Sequence, residues 1–228
     1  MKKKVFITGA SSGIGEHLAY SYSKLNYSVG LAARREDKLN KVAKKCIDLG
    51  GNPITFPLDV LDEKLCSEAI NNFISLPGSI DVIYANAGIG SPDELSSGSA
   101  STMNKILSVN ILGVTNTVMP FIPYMKSIKS GKIAVICSVA SFRGLAHHSA
   151  YSGSKVAIRN ICQGWGTALY KHNISVTAIC PGFIKSEMTD KNEFFMPFIM
   201  NTDVAVKKLL EQLKKRKKYL SSLGKCAI

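Results

Sequence analysis

A short apolar run followed at once by three closely spaced glycines constrains the fold of this chain more than any other feature. Residues 4–8 have the composition of a buried strand, and Gly9, Gly13 and Gly15 precede a helical pattern over about residues 16–25. Bare glycines let the backbone approach a pyrophosphate, and the free N–H groups of a helix start point at it. The pattern therefore predicts a dinucleotide site at the end of a parallel strand.

Six residues of this turn are candidates for contact with the nucleotide phosphates: Gly9, Ser11, Ser12, Gly13, Ile14 and Gly15. Their spacing is Thr-Gly-x-x-x-Gly-x-Gly, which differs from the more general Gly-x-Gly-x-x-Gly fingerprint. Glycine turns also join strands to helices for structural reasons alone. Here three glycines, two serines and a preceding strand coincide, and this coincidence favours binding.

The second predicted strand covers residues 28–33, and the residues that follow it indicate which dinucleotide binds. Sites for NAD usually carry an acidic residue there to accept the ribose hydroxyls, whereas arginine suits the 2'-phosphate of NADP. This chain has Arg34 and Arg35 and no acid at that point. We therefore predict NADP(H) in preference to NAD(H), with Arg34 as the first candidate; the competing interpretation is that one arginine is simply solvated.

Strand and helix patterns alternate to the end of the chain, with no linker and no internal repeat. This order predicts an α/β fold, a single-domain doubly wound parallel sheet (Rossmann fold) over residues 1–228 with helices on both faces. Asp62 is the expected cap of the third helix. The remaining patterns are strands over 54–58, 80–85, 132–137 and 174–180, a weak strand near 218–223, and helices over about 36–49, 62–75 and 102–126.

Small and polar residues at the ends of the third and fourth strands extend the predicted cofactor site. Asp59 and Val60 follow the third strand, and the Asp59 carboxylate is either an acceptor for an adenine amino group or a helix cap. Asn86, Ala87 and Gly88 follow the fourth, where their small size lets a flat ring or a ribose pass across the strand ends.

A possible proton-transfer site follows the fifth predicted strand, which ends at Ser138. Tyr151 and Lys155 are four positions apart on a predicted helix, so both side chains lie on one face. A nearby ammonium stabilises a phenolate, and the Ser138 hydroxyl can hold a carbonyl oxygen beside the phenol. The spacing alone is a weak signal, because Tyr20 and Lys24 share it.

Two further features leave alternatives open. Asn110, in the middle of a long helical pattern, is either a core amide or the holder of a water molecule. Residues 186–202 contain an apolar cluster in an irregular region, which is either a lid over a substrate pocket or a subunit contact.

Other functional classes are disfavoured. The net charge of +13 lies largely at the two ends of the chain, and a lysine-rich helix with Val204, Val206, Leu209, Leu210 and Leu213 inside is most simply a surface helix, so we expect no nucleic-acid partner. Six cysteines without a Cys-x-x-Cys pair predict free thiols, and His147 and His148 without a third ligand predict no metal site. The apolar runs are too short to cross a bilayer or form a signal peptide, which predicts a cytoplasmic protein without membrane insertion.

Taken in order, these motifs resemble the short-chain dehydrogenase/reductase family in its compact single-domain form, over about residues 4–220. The resemblance implies that Tyr151 is the acid/base, that Ser138 orients the substrate carbonyl, and that Lys155 binds the nicotinamide ribose. It also implies that Asn110 holds a water in the proton relay, and that hydride passes to or from a small carbonyl or alcohol substrate without a metal. Pro181, Gly182, Ile184 and Ser186 would complete the cofactor site.

The resemblance further implies a homodimer or homotetramer. Two positions depart from the family pattern: Ala85 replaces an asparagine, and Ser186 stands where threonine is frequent. A second class of function is a non-catalytic NADP-binding regulatory protein, which would keep the glycine turn without the chemistry. The complete set of Asn110, Ser138, Tyr151 and Lys155 favours the enzyme, because binding alone needs no tyrosine acid.

Overall fold

The alternating apolar runs form one parallel sheet. In the computed structural model, which describes residues 2–191, 195–214 and 219–221, the strand order is β3-β2-β1-β4-β5-β6-β7. Every neighbouring pair among these described strands is parallel. The strands are β1 Lys3–Thr8, β2 Ser28–Ala33, β3 Asn52–Pro57, β4 Ser79–Ala85, β5 Gly131–Ile136, β6 Ile174–Cys180 and β7 Tyr219–Ser221.

Helices connect the strands and cover both faces of the sheet. One apolar layer packs helices α3, α5, α6 and α7 on one face, and a second packs α1, α2 and α8 on the other. The predicted doubly wound parallel sheet is therefore confirmed. The helices are α1 Gly13–Ser23, α2 Glu36–Asp48, α3 Glu63–Ser75, α4 Ser101–Leu107, α5 Gly113–Val118, α6 Phe121–Ser127, α7 Ser149–Leu169 and α8 Thr202–Lys214.

Alternation of side chains along β1 fills both layers. Val5 and Ile7 point into the layer with α1 and α2, whereas Phe6 points into the other. The Phe6 ring lies 5.3 Å, centroid to centroid, from the rings of Phe73 and Phe121. Because successive side chains of a strand face opposite sides, a strand covered on both faces carries apolar residues on both, as residues 5–7 do.

Several predicted details are confirmed and a few differ. The Asp62 carboxylate accepts a hydrogen bond from the Leu65 amide at 2.8 Å, so it caps α3 as expected. The start of α1 lies at Gly13 instead of Glu16, so residues 13–15 of the glycine turn belong to the first turn of the helix. Val204, expected inside α8, is 41% exposed, because Ala205 takes the buried position.

The long helical pattern over residues 102–126 is not one regular helix. A π-helical turn, Ser108–Leu112, separates α4 from α5, and Met119 and Pro120 separate α5 from α6. Among the described residues, the stretch Ser101–Ser127 is long and apolar enough, by length and composition, to cross a membrane. In the protein, 44% of its most apolar 18-residue segment is buried. The absence of membrane insertion stays a prediction.

Cysteine burial agrees with the sequence analysis for the described residues. The thiols of Cys46, Cys66, Cys137, Cys162 and Cys180 are free and buried. Cys226 lies outside the described residues, as do residues 192–194 of the predicted lid and residues 218, 222 and 223 of the weak predicted strand. The middle of that predicted strand forms β7.

Lys4 is a charged residue at the start of the predicted first strand, and the structure buries it in β1. Its side chain is fully buried, and its ammonium donates to the carbonyl oxygens of Phe73, Ile74 and Leu76 at 2.9, 3.0 and 2.6 Å. These carbonyls lie at the C-terminal end of α3, where they have no partner within the helix and where the helix dipole favours a cation. Lys4 therefore fastens the end of α3 to β1.

Replacement of Lys4 by methionine should keep the length of the side chain but leave these carbonyl oxygens without a donor. We expect a loss of about 2–3 kcal/mol in the free energy of unfolding, because buried acceptors are costly when unpaired. Urea denaturation measures the loss, with exposed Lys3→Met as the control. Equal midpoints for the two variants would show that the Lys4 hydrogen bonds do not contribute to stability.

Candidate active site

The glycine turn leaves a cradle of backbone amides at the end of β1. Gly9 has a φ of 65°, in the left-handed region that glycine favours. A Cβ atom at Gly15 would lie 2.3 Å from the Gly9 carbonyl oxygen, so the turn closes this tightly only without side chains. The first amides of α1 have no partner within the helix, and the Ser12 side chain makes no capping bond. Ser11 and Ile14 complete the turn, which therefore fits an anion.

The two arginines after β2 have different partners. Arg35 donates to the hydroxyls of Ser11 and Ser12 at 3.2 and 2.9 Å, which puts its guanidinium against the glycine turn. Arg34 lies 3.7 Å from the Asp59 carboxylate. The hydrogen bonds therefore favour Arg35, not Arg34, as the arginine beside the predicted phosphate site.

The remaining residues after β3 are held by the chain itself. The Asp59 carboxylate accepts from the Leu61 amide at 3.0 Å, two residues on, so it shapes the local turn. Val60 is buried, and its carbonyl oxygen accepts from the Asn116 side chain at 2.9 Å. Neither contact tests the predicted role in adenine binding.

The segment after β4 is tied to β1 by its first two residues. The Thr8 hydroxyl accepts from the amides of Asn86 and Ala87 at 3.2 and 3.3 Å. The Asn86 side chain donates to the carbonyl oxygens of Thr8 and Gly9 at 2.9 and 3.2 Å. Asn86 therefore fixes the glycine turn against the end of β4.

Asn110 holds the other end of the same segment. Its amide accepts from the Ile89 amide and donates to the Ile89 carbonyl oxygen, both at 2.9 Å, and donates to the Ser154 hydroxyl at 3.0 Å. The side chain is completely buried and is bonded as a core amide. The π-helical turn around Asn110 directs this amide inward, and its holding of a water stays a prediction.

Tyr151 and Lys155, both on α7, lie beside the segment that follows β4. The Lys155 ammonium lies 5.6 Å from the centre of the Tyr151 ring and donates to the Ile136 carbonyl oxygen at 2.9 Å. A Cβ at Gly88 would lie 3.4 Å from the Lys155 ammonium and 3.1 Å from the Asn110 side-chain oxygen. A Cβ at Gly90 would lie 3.3 Å from the Tyr151 ring. The fold therefore gathers Asn110, Tyr151 and Lys155 around residues 86–90.

Ser138 follows β5 at the same edge of the sheet. Its hydroxyl oxygen accepts from the Ala140 amide at 3.1 Å, which leaves the hydroxyl hydrogen available to a ligand. The neighbouring Cys137 is not a nucleophile near neutral pH, because its hydrogen bond with Cys162 and its burial raise the pKa of its thiol to about 12. The Ser138 hydroxyl, and not the Cys137 thiol, is therefore the group at this strand end that can act on a ligand.

The turn after β6 completes the cleft. The Pro181 carbonyl oxygen accepts from the Val139 amide at 3.0 Å, and Gly182 follows it. Ile184 is buried and pairs with Met200. A Cβ at Gly13 would lie 3.4 Å from that of Ser186, so this segment crosses the glycine turn.

Comparison with known proteins decides the family of this site. The family model described as short chain dehydrogenase matches residues 3–196. The chain belongs to the short-chain dehydrogenase/reductase family. Two curated relatives agree: a protein named dehydrogenase/reductase SDR family protein 7-like from Anopheles gambiae is 35% identical over 82% of this chain, and an uncharacterized oxidoreductase from Myxococcus xanthus is 33% identical over 90%. The chain spans 61% and 81% of their respective lengths.

Several solved structures share the fold of this chain. A short-chain type dehydrogenase/reductase from Mycobacterium marinum has a TM-score of 0.90 at 23% identity, covering 99% of this chain and 96% of that one. ElxO with NADP bound has a TM-score of 0.87 at 27% identity, covering 98% and 97%. A family member from Burkholderia phymatum in complex with NAD has a TM-score of 0.87 at 21% identity, covering 96% and 88%.

Asp93 is a positioning residue that the sequence analysis missed. Although it lies in the loop after β4, its carboxylate accepts from the Ser149 amide and hydroxyl and from the Ala150 amide, at the start of α7. It therefore caps the helix that carries Tyr151. Burial opposes ionisation, but the hydrogen bonds from Ser149 and Ala150 outweigh it and lower the pKa of Asp93. No local pattern reveals this cap, because it joins positions 56 residues apart.

Removal of this carboxylate in Asp93→Ala should destabilise the protein by about 1–2 kcal/mol, the usual effect of losing an N-cap. Because the pKa of Asp93 is lowered on folding, its contribution is present above the ordinary aspartate pKa of about 3.9 and is lost as pH falls through the folded value. Urea denaturation of both proteins between neutral and acid pH measures this.

Exposed Glu94→Ala is the matched control and should behave as the unchanged protein. A difference between Asp93→Ala and the unchanged protein that stays constant down to the lowest pH would contradict the assignment of the ionised carboxylate as the cap.

Proposed function

We propose that this protein is an NADP(H)-dependent oxidoreductase that interconverts a carbonyl and a secondary alcohol, with Tyr151 as the acid/base. The observation that supports this most is the convergence of Asn110, Tyr151 and Lys155 on residues 86–90, beside the glycine turn. The bound nicotinamide would supply the hydride. The chain supplies the proton, the orientation and the electrostatic field.

Each side chain has a defined task in this proposal. The Ser138 hydroxyl donates to the substrate oxygen, since its own oxygen already accepts from Ala140. Tyr151 gives a proton to that oxygen in reduction and takes it back in oxidation. Lys155 is almost completely buried and held by the Ile136 carbonyl oxygen, so its charge stays beside the Tyr151 ring and stabilises the phenolate. This route needs no metal.

The residues of the glycine turn fit a dinucleotide. The turn offers free amides at a helix start for the pyrophosphate, and Gly88 and Gly90 leave space where side chains would fill the cleft. Arg35, joined to Ser11 and Ser12, favours NADP(H), because a guanidinium binds phosphate in a forked geometry. ElxO, a similar protein solved with NADP bound, supports this choice, whereas the protein from Burkholderia phymatum was solved in complex with NAD.

The substrate is proposed to be a small, largely apolar carbonyl compound. Residues 186–202 form the proposed lid, in which Phe195 and Phe198 are 87% and 70% exposed. The Met188 sulfur lies 3.6 Å from a Cβ position at Gly90, so the start of the lid borders the ring of Tyr151. A homodimer or homotetramer is proposed as well, because Leu112 and Met119, in the stretch that follows Asn110, expose 54% and 51% of their surface.

Replacement of Tyr151 by phenylalanine should abolish turnover while leaving nucleotide affinity within about two-fold, because the hydroxyl acts on the proton and not on binding; a loss of about 10²–10⁴ in rate is expected. A screen of NADPH oxidation over ketones, aldehydes, quinones and steroids supplies the assay, and calorimetry measures affinity.

The matched control is Tyr20→Phe, which has the same Tyr-x-x-x-Lys spacing on α1. The Tyr20 hydroxyl donates to Glu16 at 2.7 Å, away from the cleft, so its loss should leave turnover unchanged. Full activity of Tyr151→Phe would remove Tyr151 as the acid. Tight nucleotide binding without turnover of any tested substrate would instead favour the regulatory alternative.

The cofactor assignment predicts unequal effects of the two arginines. Arg35→Ala should weaken NADP⁺ binding by about ten-fold or more and NAD⁺ binding by less than about two-fold, because a charge-assisted hydrogen bond contributes about 1.5–3 kcal/mol. Arg34→Ala, paired with Asp59, should cause a smaller loss of NADP⁺ affinity. Equal losses of NADP⁺ and NAD⁺ affinity in Arg35→Ala would refute the 2'-phosphate assignment.

A further inference from the structure

Glu187 connects the start of the proposed lid to the cations beside the glycine turn. Its carboxylate accepts from the Arg35 guanidinium at 2.6 Å and from the Lys38 ammonium at 2.5 Å. These hydrogen bonds lower the pKa of Glu187, so the carboxylate is ionised at neutral pH. The three side chains are about half exposed, at 48%, 43% and 39% for Glu187, Arg35 and Lys38.

The guanidinium of Arg35 is shared between two sides of the cleft. Its Nη2 atom donates to the hydroxyls of Ser11 and Ser12, and its Nη1 atom donates to the Glu187 carboxylate. Glu187 therefore neutralises part of the positive charge that a 2'-phosphate would meet. Because a phosphate monoester carries about −1.5 to −2 charges at neutral pH, it is repelled by a carboxylate on the same cations.

The segment that carries Glu187 lies along the cleft. On one side of Glu187, Ser186 lies against Gly13, and on the other side Met188 lies against the Gly90 position beside Tyr151. The backbone on both sides of Glu187 therefore lies along the cleft, and the ion pairs with Arg35 and Lys38 place its carboxylate beside the glycine turn.

We propose that Glu187 is a cofactor-specificity residue: its carboxylate occupies Arg35 and Lys38 and so disfavours the nucleotide that carries a 2'-phosphate. This inference rests on the proposed function, because it takes the glycine turn as a nucleotide site. NADP(H) binds only if its phosphate displaces the carboxylate or lies beside it. NAD(H) has no phosphate at that position and meets no such opposition.

The test compares Glu187→Gln with the unchanged full chain by calorimetry, using NADP⁺, NAD⁺, 2',5'-ADP and 5'-AMP as probes. Glutamine keeps the shape of the side chain and removes its charge. Asp190→Asn is the matched control, because it removes the same charge from an exposed position three residues further along. Melting temperatures establish that all three proteins are folded.

The variant Glu187→Gln should bind NADP⁺ and 2',5'-ADP about three- to ten-fold more tightly at low salt. This range is expected because the variant loses the carboxylate that competes with the phosphate for Arg35 and Lys38 in two exposed ion pairs. Its affinities for NAD⁺ and 5'-AMP should stay within about two-fold, and the gain should shrink between about 0.02 M and 0.3 M salt as the charges are screened. The control Asp190→Asn should bind every probe as the unchanged protein does.

Four results would overturn the inference. An unchanged ratio of NADP⁺ to NAD⁺ affinity would do so while leaving the proposed function intact, as would an equal gain in Asp190→Asn. A selective loss of NAD⁺ affinity in Glu187→Gln would show that the carboxylate serves the ribose hydroxyls instead. Failure of the unchanged protein to bind either dinucleotide would refute the proposed function, and this inference with it.

Discussion

Five residues after β4, positions 86–90, hold the site together through hydrogen bonds at both of their ends. Asn86 joins them to Thr8 and Gly9 of the glycine turn, and Asn110 joins Ile89 to Ser154 of the helix that carries Tyr151. The glycine turn and the helix that carries Tyr151 are therefore both fixed to one segment. A displacement of this segment would move both together.

This dependence follows from the topology of the sheet. In a parallel sheet all strands end at one edge, so the turns after β1, β2, β4, β5 and β6 meet although they are far apart in sequence. Loops at such an edge can carry chemistry because the buried strands beneath them are rigid. Burial of Lys155 and Asn110 adds to this order, since each buried polar group is held by protein partners.

The sequence was sufficient where function depends on local spacing. The doubly wound sheet, the cap at Asp62 and the shared face of Tyr151 and Lys155 follow from periods and neighbours that can be read along the chain. Long-range contacts gave no such signal: Lys4 bonds to residues 69 to 72 positions away, and Glu187 pairs with Arg35 across 152 positions. The break of the long helix at residues 108–112 was equally hidden, because its apolar pattern continues through the π-helical turn.

The central claim is that the glycine turn and Tyr151 serve one nucleotide, and a crystal structure of the full chain with NADP⁺ tests it most directly. The account predicts the pyrophosphate on the amides of residues 13–15 and the nicotinamide ring beside residues 88–90, with the Tyr151 hydroxyl facing the same open space as C4 of the ring. A nucleotide bound elsewhere, or a Tyr151 hydroxyl directed away from the ring, would contradict the account.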